Sequence, residues 1–154
     1  MDNRSLRELG IVTAIGIVVS IIFYIVVFCN VAHACSRDKF SLDGDTLKQY
    51  ERLRDEANKI GIKIIITCAY RSQSEQDLLY AQGRTKPGKI VTWVKESRHT
   101  LGKAFDVAII EGCDVTWDPD KYRILGQIGQ KLGLVWGGSW KVQDLCHFEM
   151  REKT

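Results

Sequence analysis

From Gly10 to Phe28 the chain reads GIVTAIGIVVSIIFYIVVF, without a charge and with only Thr13 and Ser20 as hydroxyls. A helix rising 1.5 Å per residue over such a run spans roughly the ~30 Å hydrocarbon core of a bilayer. A small domain cannot bury a helix that is apolar all round, so the pattern predicts an N-terminal apolar helix in contact with a membrane. Two readings of it stay open. Its length suits an uncleaved single-pass anchor with the N terminus inside; Ala32-His33-Ala34 fits the small-residue pattern that precedes signal cleavage. Either reading places the rest of the chain outside the cytoplasm, membrane-anchored or exported. The expected organisation is a membrane or signal segment over 1–34, a polar linker over 35–45, and one domain over 46–154.

Beyond the linker the periodicity changes. Leu47, Tyr50, Leu53, Ala57 and Ile60 recur at three- and four-residue steps, which predicts an amphipathic helix over 46–60 with Asp45 as N-cap and Gly61 as its stop. The β-branched run from Ile62 to Cys68 predicts a strand. Ser72 with Glu75 forms a capping-box pattern that opens a short helix through Gln82, and 83–88, with Pro87, reads as a loop. Ala104 to Ile110 is a second buried strand. Asp118-Pro119 predicts an N-cap followed by proline at the first helical position, with the helix running to Leu132 and ending at Gly133. Leu134 to Trp136 and Cys146 to Met150 are short strand candidates. Strands and helices mix without a regular βαβ alternation, so the expected class is α+β, a small mostly antiparallel sheet with flanking helices.

Composition narrows the function classes. Charged residues make up 27% and apolar ones 45% of the 154 residues, which is ordinary for a globular chain. A net charge of +3 gives no case for nucleic-acid binding. Among the five cysteines, Cys29, Cys35, Cys68, Cys113 and Cys146, no pair has C-x-x-C spacing, so a thiolate zinc site has no support. Cys29 lies at the edge of the apolar run; the other four permit three disulfide pairings, or none.

The candidate chemistry gathers around two histidines. His99 opens a segment that reaches Asp106, and His147 closes Asp144-Leu145-Cys146-His147. Catalytic zinc sites take three nitrogen or oxygen ligands from the protein and keep one position open, and His99, Asp106 and His147 supply that set. Gly102 and Ala104 are small enough to let the chain pass close to a metal. Asp144, three residues before His147, stands where a carboxylate could face the reacting water without binding the metal, the position of a general base.

These residues, as S-x-H-x-x-G-x-A-x-D followed by D-x-x-H, resemble the motifs of the M15 metallopeptidases. Tyr70-Arg71-Ser72 with Gln76 and Leu79-Tyr80 is similar to that family's Y-R-S-x-x-x-Q-x-x-L-Y segment. Gln82 to Thr85, Pro87-Gly88, Ile90 to Thr92, Trp136 to Lys141 and His147-Phe148-Glu149 resemble its endolysin-like L-alanyl-D-glutamate peptidase branch, which is related to D-alanyl-D-alanine carboxypeptidases. The resemblance covers about 46–150. It implies a DD-peptidase/hedgehog-like fold, Zn2+ on His99, Asp106 and His147, and Asp144 as catalytic acid/base. It also implies that Arg71 holds a substrate carboxylate or a developing oxyanion, that Ser97 hydrogen-bonds behind a ligand, and that Gln76 orients Arg71 or faces solvent. Cys146, beside a presumed ligand, and Ser139, where the branch often carries an acid, depart from the pattern.

The expected function is therefore zinc-dependent hydrolysis of peptide bonds in peptidoglycan stems, with L-alanyl-D-glutamate endopeptidase activity of the cell-lysis type first and D-alanyl-D-alanine carboxypeptidase activity second. A reading of another class is a non-catalytic zinc module that binds the wall; a general base and an arginine would then have no task. A membrane-tethered lysis accessory would leave the whole metal set unexplained. The expected partners are the peptidoglycan stem peptide and a membrane through Gly10 to Phe28, with the domain monomeric.

Overall fold

The computed structural model describes residues 35–152. The expected apolar helix over 10–28, its possible cleavage site and Cys29 lie outside the described residues. Among the described residues no helix is long and apolar enough to cross a membrane.

Among the described residues three helices, α1 (Gly44–Lys59), α2 (Gln73–Ala81) and α3 (Pro119–Lys131), accompany five strands, β1 (Lys63–Cys68), β2 (Ala104–Glu111), β3 (Asp114–Thr116), β4 (Leu134–Trp136) and β5 (His147–Met150). The strands form one antiparallel sheet in the order β1-β2-β5-β4, and β3 pairs with the far end of β2. This is the α+β architecture that the mixed periodicity predicts. Strand β3 was not among the expected elements. It is three residues long and is made by a tight reversal at Gly112, whose φ of 62° suits glycine.

Helix α1 buries Tyr50, Leu53 and Ala57, as its spacing requires, but it starts two residues before the expected Thr46. The cap is Asp43, not Asp45: the Asp43 Oδ1 accepts from the Thr46 backbone N–H at 2.8 Å. Asp45 lies in the first turn instead, where its charge faces the positive end of the helix. In α2 the capping box forms in both directions, with Ser72 N donating to Glu75 Oε2 at 2.7 Å and Glu75 N to Ser72 Oγ at 3.3 Å. Asp118 caps α3 with Pro119 at its start, as expected.

Residues 35–45 are stitched to the sheet rather than forming a free spacer. Cys35 is disulfide-bonded to Cys68 at the end of β1, with Cα atoms 5.2 Å apart. Ser36 N donates to Tyr70 O at 2.7 Å and Ala69 N donates to Ser36 O at 2.6 Å, so the segment pairs with the chain just past β1. A single 3-10 turn at Lys39–Ser41 follows, and Asp43 N donates to Gly102 O at 3.1 Å. Composition alone suggests a linker here because it is polar. Its backbone bonds and the disulfide, both long-range, make it part of the domain.

The core lies between the sheet and helices α1 and α3. Phe105 of β2 stacks on Phe148 of β5 with ring centroids 5.7 Å apart, and Tyr50 of α1 meets Phe105 edge-on at 5.4 Å. Side chains alternate across a strand. With Phe105 and Phe148 turned into the core, their neighbours Asp106 and His147 turn to the opposite face, where the candidate site is built.

Candidate active site

The β2–β5 register places Asp106 directly opposite His147. Asp106 Oδ1 stands 2.9 Å from His147 Nδ1 and 3.3 Å from His99 Nε2. His99 arrives from a 3-10 turn, Arg98–Leu101, which Ser97 caps and Gly102, at φ 64°, closes into β2. One donor atom from each of the three residues lies within 4.8 Å of the others. Both rings are buried, His99 at 3% and His147 at 7% exposure. The ring nitrogens turned away from this centre are also occupied: His99 Nδ1 lies 2.8 Å from Ala69 O, and His147 Nε2 lies 3.1 Å from Glu149 Oε2.

The electrostatics follow from this packing. Burial alone would raise the Asp106 carboxyl, but its bonds to His147 and His99 outweigh that and hold it well below the usual carboxylate range. Burial alone would lower the His147 imidazole, yet the carboxylates of Asp106 and Glu149 carry it up to about 9. A cluster of two imidazoles around one carboxylate, each held from behind, fits a zinc ion by ligand type, number and spacing.

Asp144 reaches the same cavity through a tight turn. Its backbone N–H donates to Gly137 O at 3.0 Å, and His147 N donates to Asp144 O at 3.3 Å. A Cβ on Gly137 would come within 2.6 Å of Asp144 O and 3.1 Å of the His147 Cβ, so only glycine lets these segments approach. Cys146, which departs from the family pattern beside His147, turns its thiol to Asp144 Oδ1 at 3.1 Å. Burial, with the charges of Asp106 and Asp144, pushes that thiol well up, so it stays protonated and donates.

Arg71 joins from the loop after β1. Its Nη1 donates to Gln76 Oε1 at 2.8 Å, its Nη2 lies 3.4 Å from Cys68 Sγ, and its backbone N–H donates to His99 O at 3.2 Å. Gln76 thus takes the orienting place rather than the solvent-facing one. Ser97 acts on the backbone of His99, accepting from its N–H at 3.3 Å, rather than on its ring. Arg71, His99, Asp106, Asp144 and His147 all line one cavity of about 630 Å³, with Trp140 on its wall. The structure therefore brings together every residue expected from sequence. Three contributors were not singled out there: Ala69 and Glu149, which hold the two rings, and Trp140, whose ring centroid is 5.0 Å from that of His147. Glu149 could have been found from its place two residues beyond His147 on a strand, hence on the same face.

Comparison with known proteins finds likenesses in both sequence and fold. Residues 92–150 match a peptidase M15 family model described as D-alanyl-D-alanine carboxypeptidase. Over 107 residues the chain is 41% identical to the peptidoglycan L-alanyl-D-glutamate endopeptidase CwlK of Bacillus subtilis, a match covering 61% of this chain and 64% of that protein. The chain thus spans somewhat less than two thirds of that relative's length. In fold it is similar to the L-Ala D-Glu endopeptidase ChiX of Serratia marcescens, with a TM-score of 0.63 at 19% identity, covering 78% of this chain and 88% of that one. It is also similar to the D,D-pentapeptidase VanY, solved with Zn(II), with a TM-score of 0.53 at 20% identity over 71% of this chain and 72% of that one. The chain is thus similar over 92–150 to the peptidase M15 family model, in sequence to CwlK, and in fold to further peptidases.

Proposed function

We propose that the domain is a zinc-dependent peptidase that cleaves the stem peptides of bacterial peptidoglycan, at the bond between L-alanine and D-glutamate. The observation that carries this reading is the convergence of a three-donor metal set, a carboxylate and an arginine on one cavity. The choice of bond rests on the 41% identity to CwlK.

His99 Nε2, an Asp106 oxygen and His147 Nδ1 would hold the ion. Zinc bound at such a set polarises a carbonyl and acidifies water. Asp144 accepts the proton of the attacking water on its carboxylate and passes it to the leaving amine. Cys146, by donating to Asp144 Oδ1, holds that carboxylate in one orientation. Arg71 offers a planar fork of donors that suits either a substrate carboxylate or the oxyanion that forms at the scissile carbonyl. Its own aim is set by Gln76.

The experiment is digestion of purified peptidoglycan by the full chain, with mass spectrometry of the new ends. New amino termini on D-glutamate are expected; intact stems would refute the reading. A second reading, D-alanyl-D-alanine carboxypeptidase, is favoured by the description of the matched family model and by a similar fold solved with D-alanine-D-alanine. It would release free D-alanine instead.

We further place the domain outside the cytoplasmic membrane, with 10–28 as its membrane segment. Peptidoglycan lies there, and the Cys35–Cys68 disulfide suits an oxidising compartment. With its sulfur in that bond, Cys35 has no thiol free for lipid attachment. N-terminal sequencing from cells would find Cys35 first if the segment is cleaved, and Met1 or Asp2 if it is retained.

A further inference from the structure

We propose that Glu149 is a positioning residue for the metal, fixing which ring nitrogen His147 presents to it. The inference rests on the zinc reading above. A carboxylate only accepts hydrogen bonds. With Asp106 Oδ1 at 2.9 Å and Glu149 Oε2 at 3.1 Å, both ring nitrogens of His147 donate in the metal-free chain; a metal beside Asp106 would displace the Nδ1 hydrogen, while Glu149 keeps the hydrogen on Nε2. The ring cannot easily find another arrangement. Trp140 and His99 flank it, with centroids at 5.0 Å and 5.1 Å.

The two histidines are thereby set in opposite senses. Ala69 O accepts from His99 Nδ1, so His99 offers Nε2; Glu149 accepts from His147 Nε2, so His147 offers Nδ1. One acceptor is a neutral carbonyl and the other a carboxylate. The carboxylate also makes the His147 ring a more basic ligand. The fold reaches this with minimal means: His147 and Glu149 are two apart on β5 and share the site face, while Phe148 between them anchors the strand in the core. Arg98, which lines the same cavity, is engaged with Glu152 and Met150 O, and the bond to His147 is where the Glu149 carboxylate is used.

The test uses the full chain and reads zinc affinity by competition with a chromophoric chelator. Glu149→Leu should bind zinc about 10–100-fold more weakly. Glu149→Gln, whose amide oxygen still accepts from Nε2–H, should recover most of the loss, which a residue needed merely for folding would not do. Wild-type affinity in Glu149→Leu overturns the proposal. Long-range 1H–15N spectra of the zinc-loaded wild type give a check without any substitution: His147 should show Nε2 protonated and Nδ1 bound, and the reverse assignment overturns the proposal even if Glu149→Leu fails to fold. A wild type that binds no zinc would instead overturn the metal reading itself, and this inference with it.

Discussion

Gln76 holds Arg71 from inside the protein. Fully buried at 0% exposure, it accepts from Arg71 Nη1 at 2.8 Å and donates from its own amide to Val94 O at 2.8 Å. The carboxamide thus ties the arginine to the loop that forms one wall of the cavity. Gln76→Leu, which keeps the volume and removes both bonds, should lower kcat/KM roughly 10- to 100-fold through a misplaced Arg71. Leaving buried polar partners unpaired should also cost about 1–3 kcal/mol of stability. Steady-state kinetics and urea unfolding check the two parts. Unchanged kinetics would remove Gln76, and with it the proposed aim of Arg71, from the mechanism.

A substitution at Asp144 should separate chemistry from metal binding. Asp144→Asn keeps the shape of the turn, in which backbone groups of Gly137, Asp144 and His147 make the bonds. The variant should retain one zinc and lose about 10²–10⁴-fold in turnover, the usual worth of general acid/base help. Metal analysis beside activity on peptidoglycan decides it; near-normal turnover would contradict the role.

The Cys35–Cys68 bond closes a loop with a sequence separation of 33 and braces the chain beside Ala69, whose carbonyl holds His99. Cys35→Ser should cost about 2–4 kcal/mol of unfolding free energy by the chain-entropy argument. Thiol reductant should cost the wild type the same and leave Cys35→Ser unaffected. Equal stability of oxidised and reduced wild type would show that the bond adds nothing.

In the metal-free chain, stability should depend on pH through His147. Its folded pKa is raised from 6.5 to about 9, so the stabilisation is complete below about 6.5 and is lost as pH rises through about 9. Zinc bound at this set would take the place of the proton on Nδ1. Unfolding curves of the metal-free chain should therefore weaken between these limits, while those of the zinc-loaded chain should not. Parallel profiles for the two forms would show that zinc and the proton do not share the site.

Much of this was legible in the residues. The helix repeats around Tyr50 and Leu53, the capping box at Ser72 and the proline at 119 are local signals, and each produced its element. The candidate metal set was legible because His99, Asp106 and His147 have the chemistry of zinc ligands at spacings that resemble a known motif, and the structure brings their donor atoms within 4.8 Å of one another. What escaped depends on contacts distant in sequence. The role of 35–45 is decided by Cys68 and Tyr70, more than thirty residues away. The choice of Asp43 over Asp45 as cap turns on a single side-chain reach, and β3 is too short to carry a period. Glu149 lay in plain sight within the motif, but its contact with the His147 ring appears only once β5 turns both to the same face.

The most direct test of the zinc-peptidase claim is to titrate zinc into the metal-free full chain while following release of new amino termini from purified peptidoglycan. We expect activity to rise linearly to one equivalent of zinc and then level off, and His147→Ala to give no such rise. Hydrolysis that proceeds equally well without zinc, or that survives in His147→Ala, would contradict it.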